Sequence, residues 1–171
     1  MSKQSIEHHK VAIVGSGFSG LGMAIRLKQK GENDFIVFEK EAGVGGTWRV
    51  NHYPGCACDV PSHLYSFSFA PNPNWSRMFA PQPEIKKYLE YCADKFGVMP
   101  HIKLNNAVAG ARWDEAQQLW IIKDQSGKQY SANMLWLELA ACRCLPIRIF
   151  LGWRGSKARP SIPRIGIIIM P

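Results

Sequence analysis

Lys10-Val11-Ala12-Ile13-Val14-Gly15-Ser16-Gly17-Phe18-Ser19-Gly20-Leu21 is the stretch that decides the fold. Lys10 to Val14 reads as a short apolar strand, through Val11, Ala12, Ile13 and Val14, and Gly15 breaks it. From Phe18 to Lys30 the spacing turns helical, with Leu21, Ala24, Ile25 and Leu27 on one side and Arg26, Lys28, Gln29 and Lys30 on the other. Gly31 is the expected C-cap. Asp34 to Phe38 then reads as a second strand, with Glu39 at its C-terminal end. Strand, glycine turn, helix and strand predict a parallel pair with a right-handed crossover, which makes the fold class α/β and Rossmann-like.

The glycine spacing has a physical purpose in that setting. Gly15 permits the tight turn, Gly17 lets the backbone come close to a pyrophosphate, and Gly20 lets helix and strand pack closely. The helix N-terminus offers unpaired N–H groups and the positive end of its dipole to phosphate oxygens. Phe18 and Ser19 belong to the same loop and are candidate cofactor residues with the three glycines. Glu39 can accept hydrogen bonds from an adenosine ribose, and Lys40 beside it joins the candidate set. An acid at that place disfavours a 2′-phosphate, so this site is expected to hold FAD or NAD rather than NADP.

Outward from this unit, residues 41–80 are rich in Gly, Pro, Asn, Ser and aromatics, too long and too aromatic for a passive linker. Pro81 to Gly97 resumes helical periodicity through Ile85, Tyr88, Leu89, Cys92 and Phe96. Short strands are predicted at His101 to Leu104, Val108 to Asp114 and Leu119 to Lys123, with a turn at Asp124 to Gly127 before a strand from Gln129 to Leu135. With 171 residues, 46% of them hydrophobic, the chain is long enough for one globular domain.

The net charge of +8 is not spread evenly. Up to Leu135 there are 15 Lys and Arg against 12 Asp and Glu, whereas from Trp136 onward there are 6 against Glu138 alone. The basic character therefore belongs mainly to the tail and does not argue for a nucleic-acid partner. Residues 1–9 read as a polar tail without the apolar run of a signal peptide, and no stretch is long and apolar enough to span a bilayer, so a soluble, cytoplasmic chain is the expectation. No metal site is expected. His52 and His63 lack metal-ligand spacing, and Cys56-x-Cys58 and Cys142-x-Cys144 lack the two-residue gap of a zinc knuckle or thioredoxin-type pair.

Three further segments narrow the reading: Gly43-Val44-Gly45-Gly46-Thr47-Trp48, then Tyr53-Pro54-Gly55 with Cys58-Asp59-Val60-Pro61-Ser62, then Tyr65-Ser66-Phe67-Ser68-Phe69. Together with the first loop they resemble the class B flavoprotein monooxygenases and, within them, the Baeyer–Villiger monooxygenases, over residues of about 10–135. That resemblance implies a Rossmann-like FAD-binding domain with a small β-meander insertion. It also implies that Gly46, Thr47 and Trp48 line the FAD, with backbone N–H groups and a flat indole beside the cofactor. Asp59 and Tyr65 would lie near the isoalloxazine ring, Asp59 also toward the nicotinamide, and Val108 would meet the adenine through its backbone. Trp48 and Tyr65 are equally readable as core aromatics and Asp59 as a turn cap. The implied cofactors are FAD and NADPH, and the implied reaction uses oxygen to convert a ketone to an ester or lactone. Oxidation of a soft nucleophile, as in heteroatom-oxidising relatives, is the alternative. A disulfide reductase would place a redox cysteine pair soon after the Gly-Gly segment, where Thr47 and Trp48 stand instead.

The family's later elements, a Gly-Thr-Gly turn, an F-x-G-x-x-x-H-x-x-x-W fingerprint and a second glycine loop for NADPH, are not present as written, which makes the expected fold incomplete, without its NADPH domain. The composition changes abruptly at Trp136. Reading the codons of the tail from their third base, with codons chosen among those permitted, yields Val-Gly-Thr-Gly-Gly-Leu and later Phe-Lys-Gly-Lys-Thr-Phe-His-Ser-Gln-Asn-Trp. Both missing elements return. The expected organisation is thus a tail over 1–9, a partial FAD-binding domain over 10–135, and an out-of-frame or divergent tail over 136–171. This chain alone is expected to be inactive.

Overall fold

The computed structural model describes residues 6–140, 148–150 and 165–170, and side chains up to residue 137. Most of the tail that begins at Trp136 therefore lies outside the described residues. The first strand, β1, runs Glu7–Val14 and is followed by helix α1 at Phe18–Gln29 and strand β2 at Phe35–Phe38. The strand thus begins three residues before the predicted domain does. A four-residue helix α2 occupies Thr47–Val50, and α3 spans Gln82–Lys95. Strands β3 (Ile102–Lys103), β4 (Val108–Asp114), β5 (Leu119–Asp124) and β6 (Gln129–Ala140) follow, with short β7 (Arg148–Phe150) and β8 (Ile165–Met170).

The sheet order is β3-β2-β1-β6-β5-β4-β7, with β8 also paired to β6. β3, β2, β1 and β6 are mutually parallel, and β4, β5 and β6 form the expected antiparallel meander. β6 runs beyond the predicted end at Leu135, and its register with β1 continues through Ile13–Trp136 to Val14–Leu137.

Alternation along β1 and β2 divides the interior into two cores. Val11, Ile13, Phe35 and Val37 pack under α1 and α3 with Leu21, Ile25, Leu89 and Cys92. Ala12, Val14, Ile36 and Phe38 face the meander residues Ala111, Trp120, Ile122 and Tyr130. Burial on both faces explains why these strands are continuous apolar runs.

Both long helices end in the same way. After α1, Gly31 at φ +80° donates to Lys28 O and Glu32 N–H to Leu27 O, each at 3.0 Å. After α3, Gly97 at φ +62° donates to Asp94 O at 2.9 Å and Val98 N–H to Ala93 O at 3.0 Å. These are Schellman endings, which need a left-handed residue that glycine supplies without strain. Among the described residues no helix is long and apolar enough to cross a membrane.

Candidate functional site

The glycine loop leads from the C-terminal end of β1 into α1 and is hydrogen-bonded to the C-terminal end of β2. Gly15, at φ +97°, donates its N–H to Phe38 O at 2.9 Å, and the next residue, Ser16, is fully buried. Ser16 donates its backbone N–H (2.9 Å) and its hydroxyl (2.5 Å) to the same oxygen of Glu39, whose other oxygen accepts the Glu41 N–H at 2.9 Å. Glu39 is itself buried, at 4% exposure. Three donors fix its carboxylate and leave acceptor capacity for a further hydroxyl. Gly17 is the N-cap of α1, which has no side-chain cap and no acid in its first turn. The positive end of the helix is therefore not neutralised by its own residues.

The second glycine segment lies directly on the first. Gly45 N–H donates to Ser16 O at 3.0 Å. A Cβ built on Gly46 would come within 2.8 Å of the Gly17 Cα, and Gly46 sits at φ +53°. Space and conformation both demand glycine there, and two backbones 29 positions apart meet at van der Waals distance. The Trp48 backbone N–H donates to Gly45 O at 3.0 Å, within its own turn. Thr47 is exposed at the start of α2.

The remaining expected residues fall at the two ends of this junction. Phe18, Trp48 and Tyr65 pack around Cys58, Ala80 and Ile85. The Trp48 indole N–H donates to the Tyr65 hydroxyl at 3.0 Å, and Tyr65 meets Phe18 edge-on with centroids 4.9 Å apart. Burial pushes the Tyr65 hydroxyl above the ordinary tyrosine range; the Trp48 N–H opposes this, and Cys58 and Asp59 add to the rise. Asp59 is thus within electrostatic reach of Tyr65 while its own side chain is exposed. Trp48 and Tyr65 are core aromatics as well as candidate site residues.

At the other end, Lys40 is exposed and lies 3.8 Å from Glu41. Val108 opens β4, two residues after Asn106, whose N–H donates to Glu39 O at 2.8 Å. That bond ties the start of the meander to the end of β2. Ser19 is half-buried, and its hydroxyl oxygen accepts the Trp136 indole N–H at 3.4 Å. Gly20 is buried within α1. His52 and His63 are exposed, and among the described residues no group of three His, Cys, Asp or Glu could hold a metal.

Ser16 and Asn106 were not expected. Ser16 occupies a variable position of the motif, so only its contact with Glu39 singles it out. The contact of Asn106 with Glu39 spans 67 residues of chain and leaves no local pattern. The carboxylate at the end of β2, the start of α1 at Gly17 and the Gly46 cradle over Gly17 are the features of this structure that could hold a dinucleotide.

Comparison with known proteins agrees with this geometry. Residues 13–81 match the family model described as an NAD(P)-binding Rossmann-like domain. A Baeyer–Villiger monooxygenase of Pseudomonas aeruginosa is 63% identical over 126 residues, which are 74% of this chain and 24% of that protein. An FAD-binding monooxygenase of Botryotinia fuckeliana is 42% identical over 123 residues, 70% of this chain and 23% of that protein. The crystal structure of cyclohexanone monooxygenase from Rhodococcus sp. Phi1 bound to NADP+ superposes with a TM-score of 0.75 at 32% identity, covering 78% of this chain and 26% of that one. The chain thus spans about a quarter of the length of the relatives it matches.

Proposed function

The chain is related, through residues of about 10–135, to the N-terminal part of the Baeyer–Villiger monooxygenases, and from that premise we propose that it carries the first part of an FAD site. The observation that carries this reading is the seating of Gly46 on Gly17 beside the Ser16-held carboxylate of Glu39. Gly15, Gly17 and the first turn of α1, including Phe18, Ser19 and Gly20, receive the pyrophosphate, and Glu39 with Lys40 receives the adenosine ribose. Val108 borders the adenine. Gly46, Thr47, Trp48, Asp59 and Tyr65 border the flavin end, where Asp59 acts by its proximity to the ring. Bound there, FAD supplies the capacity to take hydride from NADPH and pass electrons to oxygen. The chain's own residues bind and orient it: the Trp48–Tyr65 pair walls one end with an apolar surface, and the helix dipole balances phosphate charge.

In the whole protein we place this domain in an NADPH- and oxygen-dependent monooxygenase that converts a ketone to an ester or lactone. Support comes from the relative that is 63% identical and bears that activity in its name. A heteroatom-oxidising enzyme is the second reading. The 171 residues by themselves bind FAD without turnover, and the tail from Trp136 is read out of frame after the loss of one base. The abrupt change of composition there supports this.

The test is to purify this chain and a frame-corrected, full-length counterpart and to compare bound flavin absorbance and NADPH consumption with and without a cyclic ketone. Flavin in both and ketone-dependent NADPH consumption only in the long form is the expected result. Ketone-dependent turnover by the short chain overturns the inactive reading, and a corrected nucleotide frame that meets a stop codon overturns the frame reading.

A further inference from the structure

Arg49 lies in α2, three residues after Gly46, and its N–H donates to Gly46 O at 3.0 Å. Its side chain turns back over the glycine segment. A Cβ built on Gly43 would fall 2.4 Å from Arg49 Nη1 and 2.7 Å from Cζ, so the guanidinium occupies the volume that any side chain at 43 would need. Gly43 is not among the residues with positive φ, so space rather than conformation makes glycine fit there. A Cβ on Gly45 would meet the Arg49 Cβ at 3.2 Å. The far end of Arg49 reaches α3, with Nη1 3.8 Å from Glu90 Oε1, and Lys86 holds the same carboxylate oxygen at 3.4 Å.

A continuous line of contacts therefore runs from α3 through Arg49 to the segment 43–46, and from there through Gly45 N–H and the Gly46–Gly17 approach to the phosphate loop. A glycine-rich segment has little stiffness of its own, because each glycine leaves the backbone a wide choice of conformations. A planar cation laid on it from a neighbouring helix restricts that choice, and arginine suits the task because its fork is flat and permanently charged.

We propose that Arg49 is a positioning residue of the FAD site: its guanidinium, laid on Gly43 and tied to Glu90, holds Gly45 and Gly46 against the loop at Gly17. This rests on the FAD reading above. Arg49 is not a ligand of the cofactor; it fixes the segment that is.

The test uses the purified chain and the variants Arg49→Ala, Arg49→Lys and Gly43→Ala, with two measurements on each: FAD affinity by flavin fluorescence, and amide hydrogen exchange of the FAD-free protein. Arg49→Ala is expected to weaken FAD binding about tenfold and to speed exchange across residues 43–50 by about the same factor, with β1 and β2 unchanged. Gly43→Ala, which displaces only the flexible end of Arg49, moves both readouts in the same direction by about threefold. Arg49→Lys keeps the charge toward Glu90 but not the flat contact, and recovers less than half of the logarithmic loss.

Unchanged exchange at 43–50 in Arg49→Ala overturns the proposal, including the case where affinity falls, since Arg49 would then be a direct ligand. Faster exchange without loss of affinity, or faster exchange spread evenly over β1, β2 and α3, also overturns it. If the unaltered chain binds no FAD, the functional reading fails separately, and exchange at 43–50 alone decides the role of Arg49.

Discussion

Ser16 donates twice to one carboxylate oxygen of Glu39, and the hydroxyl contact, at 2.5 Å, is the shorter of the two. Hydrogen bonds to a buried carboxylate contribute more than neutral ones, about 1.5–3 kcal/mol. Ser16→Ala is therefore expected to weaken FAD binding about threefold by loosening the acid that meets the ribose. Glu39→Gln is more severe, because whichever way the amide turns its N–H₂ would face a donor, either the Ser16 pair or the Glu41 N–H; a loss of about thirtyfold in affinity, read by flavin fluorescence titration, is expected. An unchanged affinity for Glu39→Gln would remove Glu39 from the site. At this scale the sequence marks the glycines and Glu39 plainly, because their spacing is set by the local geometry of one βαβ unit. It is silent on Ser16 and Arg49, whose roles depend on which backbone lies beside them.

Among the elements, α1, α3 and the strands up to Leu135 are legible because each follows one period or one apolar run and the helices stop at glycine, whereas β7 and β8 are not read from the sequence. The stretch between α1's partner strand and α3 is not, since its order comes from distant bonds. Tyr88 of α3 accepts the Phe67 N–H at 2.7 Å and donates to Ala70 O at 2.8 Å, so one hydroxyl closes the turn between them. Burial pushes that hydroxyl well above the ordinary tyrosine range. Ser62 holds Arg77 and Met78 carbonyls at 2.9 Å and takes the Ala80 N–H at 2.8 Å, across a gap in sequence that no pattern spans. Tyr88→Phe leaves the Phe67 N–H and the Ala70 carbonyl without this partner, at a cost of about 1–3 kcal/mol. Denaturant unfolding measures the loss, and exchange at residues 66–70 should rise while α1 is unaffected; a variant as stable as the parent would show that the hydroxyl does not hold the turn.

On the scale of the whole molecule, Glu7 ties three parts of the chain together. It pairs with Lys103 of β3 at 2.9 Å and with Lys128, in the turn before β6, at 2.8 Å. The hydrogen bonds from Lys128 and then Lys103 lower its carboxyl from the ordinary 4.5 to about 2. A carboxyl lowered on folding gives stability that is present above its unfolded value and is lost as pH falls through the folded one. The melting temperature should therefore drop between pH 4.5 and about 2, and Glu7→Gln should flatten that limb; an identical acid limb in both proteins would refute the assignment. The α/β class and the meander were readable from the order of elements, whereas the division into two cores needed the strand alternation to be set against both neighbours. The pairing of β1 with β6 has a further consequence, for synthesis. Glu7 meets Tyr130 and Val14 meets Leu137, so the centre of the sheet joins the first strand made to one completed more than a hundred residues later. Until then one side of β1 is an open edge. Because β6 also carries the Trp136 contact to Ser19, the strand that closes this edge meets the start of α1, in the first unit of the chain to be made.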